Sequence, residues 1–284
     1  MIQRAATSQR RINEFLYTRS TIQNSKNTRQ IILKGKIEFK NVDFTYPHTG
    51  IHAIKSFDLK INRGEKIAIV GKTGSGKSTV AQLLLRMYDP QHGDILYDDT
   101  SIKKIDFHSL RSQVSYAPQD VFLFSDTVEN NISFAVKNVT EEMIKEAAAN
   151  AVIQNEIEQF PQKYKTIIGE RGVTLSGGQK QRISIATALM KEHEIVIFDD
   201  CLSAVDAKTE SRIINNLHNY LKNKTAIIIT HRIFSLFNFD KIILLKDGAI
   251  AEQGTHSELL SKNGYYAEMY AHQQKREKKL AEEM

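Results

Sequence analysis

The sequence predicts an α/β protein: a buried parallel sheet with a β layer ahead of it and a helical insert in its second half. Three observations predict this. The 284 residues, 41% of them hydrophobic, are enough to bury a real core. Short apolar stretches at Ile67–Val70, Ile195–Phe198, Ala226–Ile229 and Ile242–Leu245 have the length and composition of strands buried on both faces. Helical patterns lie before or between these stretches, and that alternation is the α/β signature.

Taken in order, Ile2, Ala5, Ala6, Ile12, Phe15 and Leu16 recur at helical spacing, so residues 2 to about 17 read as one amphipathic helix whose apolar stripe needs a partner. The stretch "TRSTIQNSKNTRQIILKG", residues 18 to 35, keeps no period and is rich in Thr, Asn and Ser, which reads as a linker. Residues 1–35 are thus a basic helix plus linker, and the folded body, 36–284, begins near Lys36. There "KIEFKNVDFTYP" and "AIKSFDLKI" read as strands of a β layer, and "EKIAIVG" as a buried strand followed at once by a helix over Gly76–Met87. Residues 120 to 181 read as a helical insert, because Glu141–Gln159 is helical in composition and no apolar strand interrupts it. The tail "KREKKLAEEM" reads as charged helix or fraying terminus.

Composition excludes several classes. No apolar run approaches the roughly 20 residues of a membrane-spanning helix, and no signal-peptide pattern follows the basic start. The single cysteine, Cys201, rules out an internal disulfide, fits a reducing cytosol and reads as a small packed residue. The net charge of +6 is unevenly placed. Residues 1–36 carry Arg4, Arg10, Arg11, Arg19, Lys26, Arg29, Lys34 and Lys36 against Glu14 alone, so the remainder is close to neutral. That distribution argues against a nucleic-acid-binding face spread over the fold. It suits a leader held near anionic headgroups, or a solvated basic tail.

Two glycine-rich stretches carry the chemistry. "GKTGSGKS", Gly71 to Ser78, follows an apolar strand and opens a helix, the context a phosphate-binding loop requires. Its glycines let backbone N–H groups turn inward around a phosphate, and the helix N-terminus adds a favourable dipole. Lys77 can reach the β and γ oxygens, and the Ser78 hydroxyl suits Mg²⁺. The second stretch, "LSGGQKQR", Leu175 to Arg182, places Ser176 as an N-cap, followed by Gly177 and Gly178, at the start of another helix. Two anion-binding helix ends about a hundred residues apart can serve one γ-phosphate if the second comes from another copy of the domain.

At these residues the chain resembles the ATP-binding cassette (ABC) family, over about Lys36 to His272. The resemblance implies a P-loop NTPase core with an antiparallel β subdomain and an inserted α-helical subdomain, and it implies ATP and Mg²⁺ as cofactors. Tyr46 in "FTYP" matches the aromatic that stacks on adenine. Gly71, Thr73, Gly74, Ser75, Gly76, Lys77, Ser78 and Thr79 match Walker A, and Gln119 in "YAPQD" matches the glutamine that senses Mg²⁺ and the γ-phosphate. Ser176, Gly177, Gly178 and Gln179 match the signature that contacts the partner's ATP. Asp199 closes Walker B and matches a metal-site residue, with Ser78 and Gln119. Ser203–Asp206 matches a loop that communicates across the dimer, and His231 in "ITHR" matches the switch histidine. Singly, Tyr46 would be a packed tyrosine, Gln119 a solvated loop residue and His231 a capping histidine. Their order makes the functional assignment.

"GERG", Gly169–Gly172, resembles an exporter-branch stretch that contacts the transmembrane part. "QRAATSQRRINEFL" resembles the segment that leaves the last membrane helix of an exporter half-transporter. The expectation is the cytosolic end of a longer polypeptide at the cytoplasmic face of a membrane, partnered by a transmembrane domain and by a second nucleotide-binding domain, with no nucleic acid. A stand-alone soluble ABC ATPase is the alternative. In "IVIFDDCLSAVD", Asp200 stands where active members usually carry a glutamate that polarises water. One methylene fewer withdraws the carboxylate by about 1.5 Å, so slow hydrolysis is expected. Two outcomes stay open: a largely non-hydrolytic site in a heterodimer, as in resembling bacterial multidrug exporters, or a homodimer with a weak base.

Overall fold

In the computed structural model, which describes residues 2–17, 20–134, 136–169, 175–233 and 238–282, the chain opens with helix α1 (Ile2–Tyr17). On its apolar stripe Ile12, Phe15 and Leu16 are 52%, 83% and 67% exposed. The segment that follows is no free linker. The Asn24 amide donates to Asp106 Oδ2 at 2.5 Å and accepts from Phe107 N, Arg29 bridges to Ile105, and buried Leu33 donates its N–H to Gln113 Oε1 at 2.9 Å. Backbone and side-chain polar groups of this stretch find partners on the body, and Leu33 supplies apolar burial.

Strands β1 (Ile37–Thr45) and β2 (His52–Ile61) pair antiparallel as expected. The chain then crosses to a second sheet in β3 (Lys66–Val70) and turns into α2 (Lys77–Leu84). That helix stops short of Met87 because Arg86 is left-handed, φ 48°, with its buried guanidinium bound to Asp89 and the Ile105 carbonyl. Strands β4 (His92–Tyr97) and β5 (Thr100–Ser101) return to complete the first sheet, in the order β2-β1-β4-β5. The short helix α3 (Phe107–Arg111) is capped by Asp106, whose carboxylate accepts from Ser109 N.

Strand β6 (Val114–Ala117) joins the second sheet ahead of the helical insert, which comprises α4 (Val128–Ser133), α5 (Glu141–Asn150) and α6 (Gln154–Ile157) and leads into α7 (Gly177–Leu189). The stretch 141–159, helical in composition, forms two helices, α5 and α6. Val152 is left-handed, φ 55°, and the reversal buries Ile153 and Ile157, which a continuous helix would place on the face opposite Ile144, Ala148 and Ala151.

Strand β7 (Ile195–Asp199), helix α8 (Ala207–Tyr220), strands β8 (Thr225–Thr230), β9 (Lys241–Lys246) and β10 (Ala249–Gly254), and helices α9 (His256–Ser261) and α10 (Tyr265–Glu282) complete the chain. The second sheet runs β10-β9-β3-β8-β7-β6, parallel from β9 to β6 with β10 antiparallel at the edge. Its register matters for the site. Thr230 lies opposite Val70 and Ile229 opposite Asp199, so the loops after β3, β8, β7 and β6 leave side by side at the carboxyl ends of the strands, where open α/β sheets bind ligands. One apolar core, including Phe39, Phe57, Leu83 and Tyr97, lies between the β layer and this sheet; another ties the insert to α7 and α8.

Candidate active site

The loop after β3 closes on itself. Lys77 Nζ donates to the carbonyls of Gly71 and Lys72, both at 2.9 Å, and burial pulls its ammonium pKa down while Asp200 and Asp199 oppose the shift. Gly76 is required twice: its φ of 98° is left-handed, and a Cβ there would sit 2.4 Å from the Ala53 carbonyl. The Ser75 hydroxyl is buried without a partner.

Ser78 Oγ donates to Asp199 Oδ1 at 3.0 Å, and the Tyr116 hydroxyl lies 3.4 Å from Oδ2. Burial pushes the Asp199 carboxyl pKa up, so a buried anion here lacks a full complement of positive charge. Next to it Asp200, itself left-handed at φ 45°, sets both oxygens against His231 Nδ1 at 2.9 and 3.1 Å. A carboxylate only accepts, so Nδ1–H donates and Nε2 is left for another partner.

An open cleft of roughly 1140 Å³ gathers Thr73, Gly74, Gly76, Lys77, Ser78, Thr79, Gln119, Asp200 and His231, with Tyr46, Ile51, His52 and Ala53 in its wall. Asp199 lies against it through Ser78. Tyr46 is braced: its hydroxyl lies 2.9 Å from Thr79 Oγ1 and donates to Gln82 Oε1 at 2.7 Å, while Phe44 and Tyr88 meet its ring in edge contacts. Sequence reasoning missed Tyr116, Ile51, His52, Lys55 and the Asp247–Gly248 turn, all in or beside this cleft. The Asp-Gly pair after an apolar strand was a readable turn signal. Tyr116 lies three residues ahead of Gln119 on a strand ending at the cleft.

Ser176, Gly177, Gly178 and Gln179 are outside the cleft, at the N-terminus of α7. Ser176 and Gln179 form a reciprocal capping box, with Ser176 N donating to Gln179 Oε1 and Gln179 N to Ser176 Oγ. A Cβ on Gly178 would approach the Ala204 carbonyl to 2.8 Å. Gln181 clamps the same loop, donating to Ser203 Oγ and accepting from Ala204 N, both at 2.8 Å. Of "GERG", residues 170–172 lie outside the described residues.

A glycine-rich loop between a buried strand and a helix, its lysine turned back on the loop and its serine bound to a strand-end aspartate, defines a P-loop nucleoside triphosphatase. Residues 54–203, just over half of the chain, match the profile of the family described as ABC transporter, and the chain belongs to that family. It is similar to a probable multidrug resistance ABC transporter ATP-binding/permease protein of Bacillus subtilis (strain 168), 42% identical over 96% of this chain and 47% of that protein. It is also similar to an ATP-dependent lipid A-core flippase of Salmonella typhimurium, 44% identical over 83% of this chain and 41% of that protein. Among solved structures it matches that of a bacterial Atm1-family ABC exporter with ATP bound, with a TM-score of 0.89 and 36% identity over 96% of this chain and 48% of the other. The chain spans about half the length, or less, of these proteins. It has the ABC ATPase fold, the ATPase domain of an ABC transporter.

Proposed function

We propose that this chain is the ATP-hydrolysing motor of an exporter, acting at the cytoplasmic face of a membrane through a transmembrane domain in the same parent polypeptide. Two such motor domains close face to face around ATP, and hydrolysis reopens them. The observation that carries this reading is the convergence of Lys77, Ser78–Asp199, Asp200–His231 and Gln119 on one cleft, while the second glycine-lined helix end, Ser176–Gly178, stands outside it. The names of the relatives, a multidrug transporter and a flippase, support export.

In this reading the loop N–H groups and Lys77 hold the phosphates, Tyr46 supports the adenine, and Asp200, oriented by His231, takes a proton from the attacking water. Ser78, Asp199 and Gln119 are hard oxygen donors that fit Mg²⁺, which would neutralise charge on the transferring phosphoryl group. Phosphate oxygens would complete the coordination of such an ion. The surface proposed for the transmembrane partner is the exposed trio Phe122, Phe124 and Phe134. It begins three residues after Gln119, and its Phe124 and Phe134 rings stack at 4.4 Å.

Asp200 favours a second reading, a site that binds ATP and hydrolyses it slowly within a heterodimer. Phosphate release at millimolar ATP, measured together with ATP-dependent pairing, tests both. A chain that ignores ATP, or holds it without pairing with itself or a related chain, refutes the motor. Fast release from a pure homodimer refutes the heterodimer reading.

A further inference from the structure

Helix α7 is anchored by a residue outside every motif. Glu156, on α6, accepts from Gln179 Nε2 at 3.0 Å and from the two terminal nitrogens of Arg182 at 2.5 and 3.0 Å. Arg182 is buried, 8% exposed, and its remaining bonds reach the carbonyls of Val152 at 2.7 Å and Gly178 at 3.2 Å. Since Gln179 Oε1 already accepts from Ser176 N, both ends of its carboxamide are engaged within its own chain. The left-handed Val152 between α5 and α6 brings α6 into place for this contact, and Arg182 captures that residue's carbonyl.

We propose that Glu156 is a positioning residue for the signature: paired with Arg182, it fixes the angle at which Gly177 and Gly178 offer their N–H groups, and Ser176 its hydroxyl, to the triphosphate of the opposing domain. This rests on the composite-site reading above. A bidentate arginine–carboxylate pair constrains orientation as well as distance, which a point contact does not. The pair also solves an electrostatic problem. A lone carboxylate beside a helix end that must receive a triphosphate would repel it, whereas Arg182 neutralises the charge and leaves the mechanical link intact. Glu156 joins the insert to the motif directly, so a rotation of the insert turns the signature with it.

Glu156→Ala and Glu156→Gln in the full chain test this. Hydrogen–deuterium exchange is read at the amides of 177–181, alongside affinity for a fluorescent ATP analogue and steady-state phosphate release. Loss of a charged hydrogen-bond pair predicts exchange at 177–181 faster by about tenfold in Glu156→Ala and release slower by a similar factor, with affinity at the chain's own phosphate loop within about twofold. Glu156→Gln keeps one acceptor and falls between. Unchanged exchange and release overturn the proposal. So does exchange that rises equally across α4, α5 and α7 with a lower melting temperature, because Glu156 would then only hold the insert together. A wild-type chain that binds ATP and never pairs overturns the composite site instead, and that result is read before any variant is made.

Discussion

Replacing Asp200 with glutamate is the most direct probe of the hydrolytic geometry. The added methylene advances the carboxylate by about 1.5 Å, and a misplacement of about 1 Å in a general base can cost on the order of a hundredfold, or about 2.7 kcal/mol. Two structural features reduce the gain. Asp200 has a φ of 45°, a left-handed conformation that aspartate tolerates better than glutamate, at a difference of about 1 kcal/mol. The present carboxylate is also matched to His231 at 2.9 and 3.1 Å, a contact the longer side chain must rebuild. What remains, between about 1 and 1.7 kcal/mol, corresponds to a rise of several-fold to roughly twentyfold in turnover. The assay is phosphate release at saturating MgATP, with ATP affinity and pairing measured on the same preparation. A variant that binds and pairs like the wild type yet releases phosphate no faster refutes the argument from reach.

Lys77→Ala removes the ammonium that Gly71 and Lys72 hold, and ATP affinity should fall by a hundredfold or more, on the order of 3 kcal/mol, by equilibrium binding. Gly178→Ala should destabilise by about 1 to 3 kcal/mol in chemical unfolding, since its Cβ meets the Ala204 carbonyl at 2.8 Å. Gly177→Ala, whose nearest contact is an ordinary 3.5 Å, should change stability by about 0.5 kcal/mol or less. Burial, with Lys191 and Lys224 nearby, pulls His193 down to about 4. The unfolded chain therefore takes up this proton near pH 6.5 and the folded chain only near pH 4, so stability is full above that window and declines as pH falls through it. His193→Gln should flatten the melting temperature between those pH values, removing on the order of 1 kcal/mol of acid sensitivity after discounting for partial exposure.

The buried strands and the glycine-rich loops were legible because their signals are local. Four apolar residues in a row, or a glycine run between strand and helix, declare themselves without reference to the rest of the chain. Strand β6 did not, because its four residues "VSYA" become a strand only through pairing with β7. Strand β10 carries Glu252 and Gln253 on an edge and has no apolar period to read. The turn at Val152 places a β-branched residue in a left-handed conformation that no propensity favours, so only the burial of Ile153 and Ile157 explains it. Within the candidate site the same division holds. Lys77, Ser78, Gln119, Asp200 and His231 sit in motifs, whereas Ile51, His52 and Lys55 reach the cleft, and Tyr46 meets Thr79, Gln179 Glu156, and Gln181 Ser203, only through tertiary packing of distant segments.

The seam made by Asn24, Arg29 and Leu33 along Asp106, Ile105 and Gln113 bears on how force enters the molecule. A tether with slack would let α1 swing while the ATPase stood still. Stitched down at three places, residues 24–33 are instead fastened to α3 and to the residue that leads into β6, the strand that ends two residues short of Gln119.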